Sequence, residues 1–144
     1  MRKIFVFVIL ILICTCVCAF AADIVSLERE AQILRVQLRS ADDVTEKEAI
    51  LRKIIDTCKG TEEAEAAYWD LADLYLNDFP SERKREAAEM LELCLRAYPN
   101  SNRSTMIKCR LIDLYDVRNK RRAELINQLK NDKNVPEMIK NSLN

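Results

Sequence analysis

Apolar side chains recur along most of this chain at steps of three and four residues, the spacing that gathers them on one face of a helix. The clearest stretch runs from Ala64 to Ser101. Ala64, Ala67, Tyr68, Leu71, Ala72, Leu74 and Tyr75 share one face, and Glu62, Glu63, Glu65, Asp70 and Asp73 fall mostly opposite. Thr61 is placed to cap this helix, and the early glutamates suit the positive end of its dipole. Phe79-Pro80 predicts its end, because the residue before a proline is pushed out of helical geometry. Ser81 is the next cap candidate. A second helix then carries Ala87, Ala88, Met90, Leu91, Cys94, Leu95 and Tyr98, and stops at Pro99-Asn100-Ser101. Small residues (Ala67, Ala72, Ala87, Ala88) stand among bulky ones, so the two axes can approach closely while Tyr68, Leu71, Tyr75, Leu91 and Tyr98 fill the space between them.

The flanking segments read as poorer copies of this pair. Ile24, Leu27, Ala31, Leu34, Leu38 and Ala41 form a heptad seam of fewer than three heptads, which suits either the first helix of a degenerate repeat or a short oligomerising helix. Asp42-Asp43 interrupts it. Thr45 with Glu48 has the form of a capping box and predicts a helix from about Glu46 to Cys58, with Ala49, Ile50, Leu51, Ile54, Ile55 and Cys58 inward. Lys59-Gly60-Thr61 closes that helix, and Gly60 suits a left-handed helix end. Beyond the central pair, a helix is expected from about Ser104 to Asp116 with Met106, Ile107, Leu111, Leu114 and Tyr115 facing in. Another is expected from Asn119 to Lys130, using Ala123, Leu125, Ile126 and Leu129. A short helix from Glu137 to Leu143, initiated by Pro136, would cap the end of the array. Shifting the chain by about forty residues, a period typical of helix-pair repeats, lays Leu71, Asp73, Leu74 and Tyr75 on Leu111, Asp113, Leu114 and Tyr115.

Composition narrows the fold class. The 144 residues include one glycine, three prolines and no histidine. Scarce glycine with abundant Ala, Leu, Glu, Lys and Arg predicts an all-α fold of about six to seven helices after the leader. Lack of histidine removes the commonest general base and the commonest metal ligand.

The pattern Tyr68, Leu71-Ala72, Tyr75, then Ala87, Leu91, Cys94 and Pro99 resembles a tetratricopeptide repeat. The turn between the helices is longer than usual for that family, Cys94 replaces its second small residue, and Ala72 stands where glycine is frequent. The ending Tyr98-Pro99-Asn100-Ser101 is similar to repeats of bacterial envelope proteins, such as the outer-membrane assembly lipoproteins and the Tol-Pal-associated division coordinator. The resemblance implies antiparallel helix pairs stacked as a short TPR-like right-handed solenoid. Residues 23–60 would be a degenerate repeat, 61–101 the best repeat, 102–134 a second copy and 135–144 a capping helix. It also implies a concave groove lined by the first helix of each pair. Trp69, Asp73 and Asn77 from one helix would face it with Cys109, Asp113 and Asp116 from the next; Gln32 and Arg39 are weaker candidates. Trp69, the single tryptophan, would be a peptide anchor or would pack between neighbouring helices. Asp73 and Asp113 would form an acidic strip for a basic or amide-rich ligand, or a plain solvated face.

The N-terminal segment carries the expected compartment. Arg2 and Lys3 precede an unbroken apolar run from Ile4, and Ala19-Phe20-Ala21 offers small residues two apart, so residues 1–22 read as a signal peptide cleaved after Ala21 or Ala22. The alternative is an uncleaved anchor over residues 4–22. A lipoprotein is a weaker alternative, since Cys14, Cys16 and Cys18 follow Ile13, Thr15 and Val17. Every version places the remainder outside the cytoplasm, in the periplasm or beyond.

Losing Arg2 and Lys3 would leave 21 basic and 23 acidic residues. Residues 42–92 carry fifteen acids and seven bases, whereas residues 103–140 carry ten bases and five acids. Such a bipolar surface could steer a charged partner or pair with a second copy, or reflect ordinary solvated faces. Near-zero net charge and an export signal argue against nucleic acid. Cys58, Cys94 and Cys109 allow one internal disulfide at most, with Cys94 as its favoured member; buried thiols are the simpler expectation. No nucleophile has a histidine partner, no glycine-rich phosphate loop exists, and three scattered cysteines make a poor metal site. The expectation is therefore a protein with no catalytic residues, metal or cofactor, one that binds a protein or peptide segment. A structural homo-oligomer built through residues 24–41 is the alternative, and an enzyme accessory or inhibitor a third.

Overall fold

The computed structural model describes residues 25–79 and 83–143, and the helices are the only regular secondary structure among them. The expected leader, Ile24 of the heptad seam, Pro80 and the cap candidate Ser81 lie outside the described residues. Helix α1 covers residues 25–40. It is followed by α2 (Val44–Thr57), α3 (Glu62–Asn77), α4 (Lys84–Ala97), α5 (Ser104–Leu114), α6 (Lys120–Asn131) and α7 (Glu137–Ser142). No helix among the described residues is long and apolar enough to cross a membrane.

Local chemistry sets most of the boundaries. Thr61 caps α3: its hydroxyl accepts from the Ala64 amide at 3.3 Å and donates to the Cys58 carbonyl at 2.7 Å. Gly60 takes φ 84° in the preceding turn, a conformation that costs glycine nothing. The Gly60 amide donates to the Tyr98 hydroxyl at 3.1 Å, which ties the turn to the end of α4. Asn119 caps α6 by accepting from the Arg121 amide at 2.8 Å. The start of α2 differs from the expected capping box. Asp43 is the cap, accepting from the Glu46 amide at 3.1 Å, so the helix begins at Val44. Aspartate caps as well as threonine does, and Glu48 has stronger partners elsewhere.

One apolar core runs through the array. It takes Ala31 and Leu34 from α1, Leu51, Ile54 and Ile55 from α2, Ala64, Ala67, Leu71 and Tyr75 from α3, and Ala87, Ala88 and Leu91 from α4. Ile107, Leu111 and Ile112 of α5, Leu125 and Leu129 of α6, and Val135 complete it. Helices α2 to α6 each pack on the next in chain order. Three expected core positions face solvent instead. Met106 is 50% exposed, because α5 turns Ile107, Leu111 and Ile112 inward. Ala49 and Ala123 are exposed; one methyl group carries too little apolar area to orient a helix against larger neighbours. Glu65 is the opposite case, only 9% exposed, with its carboxylate accepting from the Ser101 hydroxyl.

A polar joint recurs along the core. In the first, the Tyr75 hydroxyl of α3 donates to Glu48 of α2 at 2.6 Å and accepts from Arg52 at 2.7 Å. Arg83, just before α4, reaches the other Glu48 oxygen at 3.5 Å and Glu86 at 2.9 Å, with its guanidinium 4.4 Å from the Tyr75 ring centre. In the second, the Tyr115 hydroxyl, just past α5, donates to Glu92 of α4 at 3.2 Å. Arg121 of α6 grips the same carboxylate at 2.8 and 2.9 Å and reaches Glu124 at 3.3 Å. Tyr75 and Tyr115, paired by the internal repeat, thus occupy like surroundings: a glutamate one helix back, an arginine one helix ahead, and a glutamate three residues beyond that arginine.

The three cysteines of the described residues are free thiols, Cys58 and Cys94 buried and Cys109 partly so. Cys58 donates to the Leu27 carbonyl at 3.7 Å and Cys94 to the Glu65 carbonyl at 3.9 Å, each tying its helix to the early part of the one before. Burial, with Glu65 adding to it, pushes the Cys94 thiol up to about 11. Burial, then the charges of Glu30 and Glu63, raises Cys58; burial and then Asp113 raise Cys109. A thiol so shifted holds little thiolate at neutral pH. Reaction with a thiol-specific chromogenic disulfide at pH about 8 is therefore expected to be slow in the folded protein, led by Cys109, with Cys58 and Cys94 reacting only after denaturant is added. Fast reaction of all three without denaturant would contradict this packing.

Candidate partner-binding face

Helix α3 carries the candidate face between α1 and α5. Its residues Trp69, Asp73 and Asn77 follow one another at four-residue steps and so lie along one line of the helix. Trp69 is half-buried and packed against the core. The tryptophan is therefore part structural wedge and part accessible surface. Asn77 is exposed, and its amide donates to the Asp73 carbonyl at 3.0 Å.

Two ion pairs fasten the neighbouring helices to this face. Arg35 of α1 pairs with Asp70, and its second nitrogen reaches the Glu63 carbonyl at 3.4 Å. Arg110 of α5 pairs with Asp73 at 3.3 Å, both side chains 40% exposed. Sequence reasoning missed Arg35, Asp70 and Arg110. The available signal was the spacing: the partners stand 35 and 37 residues apart, about one repeat. Exposed pairs of this kind contribute on the order of 0–1 kcal/mol each, so they orient the face more than they stabilise it.

The expected acidic strip is altered by these pairs. Asp73 spends its charge on Arg110, while Asp113 is exposed. Cys109 lies half-buried on α5, close enough to Asp113 to feel its charge. Asp116 goes elsewhere. It lies past the end of α5, accepts from the Arg118 amide at 3.0 Å, and lines a cleft of about 550 Å³ with Lys84, Arg85, Tyr115 and Asn119. The geometry thus joins Trp69, Asp73 and Asn77 on one helix, links Asp73 to α5, and sets Asp116 in a separate cleft that contains none of the other five. Gln32 lines another cleft with Glu28, Thr61 and Glu63, and Arg39 is exposed near the end of α1.

Among the described residues no three His, Cys, Asp or Glu side chains converge as a metal site would require. The half-buried aromatic, the paired carboxylates and the adjoining guanidinium can hold a polar or amphipathic segment by contact and hydrogen bonding. Compared with protein-family models, with curated proteins and with solved structures, the chain matches none.

Proposed function

We propose that this chain is an exported, non-enzymatic helical-repeat scaffold of the bacterial envelope that holds a segment of a partner protein against the face built by α1, α3 and α5. The recurring joint carries this reading. Glu48, Tyr75 and Arg83 are matched in kind by Glu92, Tyr115 and Arg121; only the tyrosines fall at the forty-residue shift, and the recurrence of the joint around them supports helix pairs stacked in a TPR-like solenoid. In such a stack the first helices lie side by side, and the Arg35–Asp70 and Asp73–Arg110 pairs bridge those helices here. Export rests on the basic start and apolar run of residues 2–13.

The test is affinity capture from envelope extract with wild type, Trp69→Ala and a Lys133→Ala control. Proteins retained by wild type and the control but lost by Trp69→Ala support the groove; identical sets from all three overturn it. Self-association through α1 is the competing reading, favoured by the exposed Val25, Ile33 and Val36. It cannot use the expected heptad seam, since Ala31, Leu34 and Ala41 are buried within the protein's own fold. A sedimentation coefficient that rises with concentration and is flattened by Val36→Glu would replace the scaffold reading with that one.

A further inference from the structure

Three bases line one cleft, Lys108 and Arg121 from the base-rich residues 103–140 and Arg96 from before them. The cleft holds about 220 Å³ where α4, α5 and α6 meet. Arg96 comes from the last turn of α4, Lys108 from α5 and Arg121 from the first turn of α6; Glu92 is the one carboxylate among the lining residues. Glu92 does not neutralise all three bases. Both its oxygens are occupied by Arg121. Those hydrogen bonds, with the charge of Arg121, a bond from Tyr115 and the charge of Arg96, outweigh burial and hold its carboxyl below the usual carboxylate range. Arg121 is further satisfied by Glu124. That leaves Lys108 and Arg96, which feels Glu92 only through its charge; neither makes a hydrogen bond or ion pair among the described residues, and the Ser104 hydroxyl and Gln128 amide are neutral donors beside them.

We propose that this cleft binds the carboxylate side chains of an acidic peptide segment on a partner protein. A guanidinium fork and an ammonium lining one cleft match one or two carboxylates, and charge-assisted hydrogen bonds are the strong ones. Leu95 and Pro99 line the same cleft and provide apolar surface for the side-chain stems. The volume admits a side chain or two rather than a helix. An extended polyanion such as nucleic acid would run onto the acid-rich residues 42–92 and be repelled. A short acidic segment held in the cleft is shielded from that field beyond a Debye length of about 8–10 Å. This surface goes beyond the Trp69 face and shares no residue with it, so failure of either assignment leaves the other standing.

The experiment is fluorescence anisotropy of a labelled hexaglutamate peptide, with hexaglutamine as the uncharged control, at low and high salt. The Arg96→Gln/Lys108→Gln double variant is expected to bind hexaglutamate at least about tenfold more weakly than wild type. Lys133→Gln, which removes an exposed base of the same half outside the cleft, should change affinity less than about twofold, with thermal melts of all variants alike. Comparable losses in both variants would show a diffuse field and overturn the site. So would equal binding of hexaglutamine or no binding of either peptide. Self-association at low salt, abolished by the double variant, would assign the cleft to the acidic half of a second copy and equally overturn the peptide assignment.

Discussion

Leu71→Ala is expected to lower the free energy of unfolding by roughly 2–5 kcal/mol, the range for a buried leucine whose cavity cannot collapse. Leu71 is fully buried in α3, which packs on α2 before it and α4 after it. Neighbours held on both sides have little freedom to fill the space. Met106→Ala, by contrast, should change stability by no more than about 0.5 kcal/mol, as at an ordinary surface position. Both residues sit at apolar positions of the same helical pattern, so the pair tests the rotation of α5 as well as the core. Urea unfolding followed by circular dichroism measures both, read as a shift in midpoint at unchanged slope. Equal losses at the two sites would place Met106 in the core and refute the orientation described.

Tyr75→Phe should cost about 1.5–3 kcal/mol, the range for hydrogen bonds to charged groups. Its hydroxyl makes two such bonds, 2.6 Å to Glu48 and 2.7 Å from Arg52, and the residue is 0% exposed. Tyr115→Phe removes one bond of 3.2 Å from a half-buried ring, so about 0.5–1.5 kcal/mol is expected there. The same joints set an acid limit. Burial pushes the Glu48 carboxyl up, but the hydrogen bonds from Tyr75 and Arg52 with the charges of Arg52 and Arg83 together outweigh it and hold it below the ordinary value of 4.5. Glu92 is likewise lowered, chiefly by Arg121. A carboxyl lowered in the folded state contributes stability that is present above its unfolded value and is lost as pH falls through the folded one. The urea midpoint should therefore fall as pH drops below about 4.5, and less steeply in Tyr75→Phe, where one of the bonds that lowers Glu48 is gone. A midpoint indifferent to acid, or a larger loss at Tyr115 than at Tyr75, would show that these joints do not hold the helices together.

Periodicity made the helices and most of the core legible. It marked the inward faces of α3 and α4, the left-handed turn at Gly60 and the cap at Thr61, because each depends on residues within one or two turns of chain. It paired Tyr75 with Tyr115 because Leu-x-Asp-Leu-Tyr is written twice. The joints those tyrosines make were not legible. Glu48 lies 27 residues from Tyr75 and 35 from Arg83, so nothing local separates it from an exposed glutamate. A shift of forty also fails to pair Glu48 with Glu92, since Glu92 stands one helical turn closer to the end of α4 than Glu48 does to the end of α2. Glu65 was hidden for the same reason: Ser101 stands 36 residues away. At the candidate face, Trp69, Asp73 and Asn77 could be placed on one line of α3 from their numbering alone. That Asp73 is tied to Arg110, and that Asp116 turns into a different cleft, follows from how α5 is set beside its neighbours. Side-chain spacing cannot supply that orientation.

Each polar joint draws on three successive helical segments and reaches no farther along the chain. The two joints share no residue, so a fault in one leaves the hydrogen bonds of the other in place. On the repeat reading proposed above, tandem copying of the encoding DNA would deliver each new unit with its own glutamate, tyrosine and arginine, so the length of such a molecule would change in whole steps while its cross-section stayed the same.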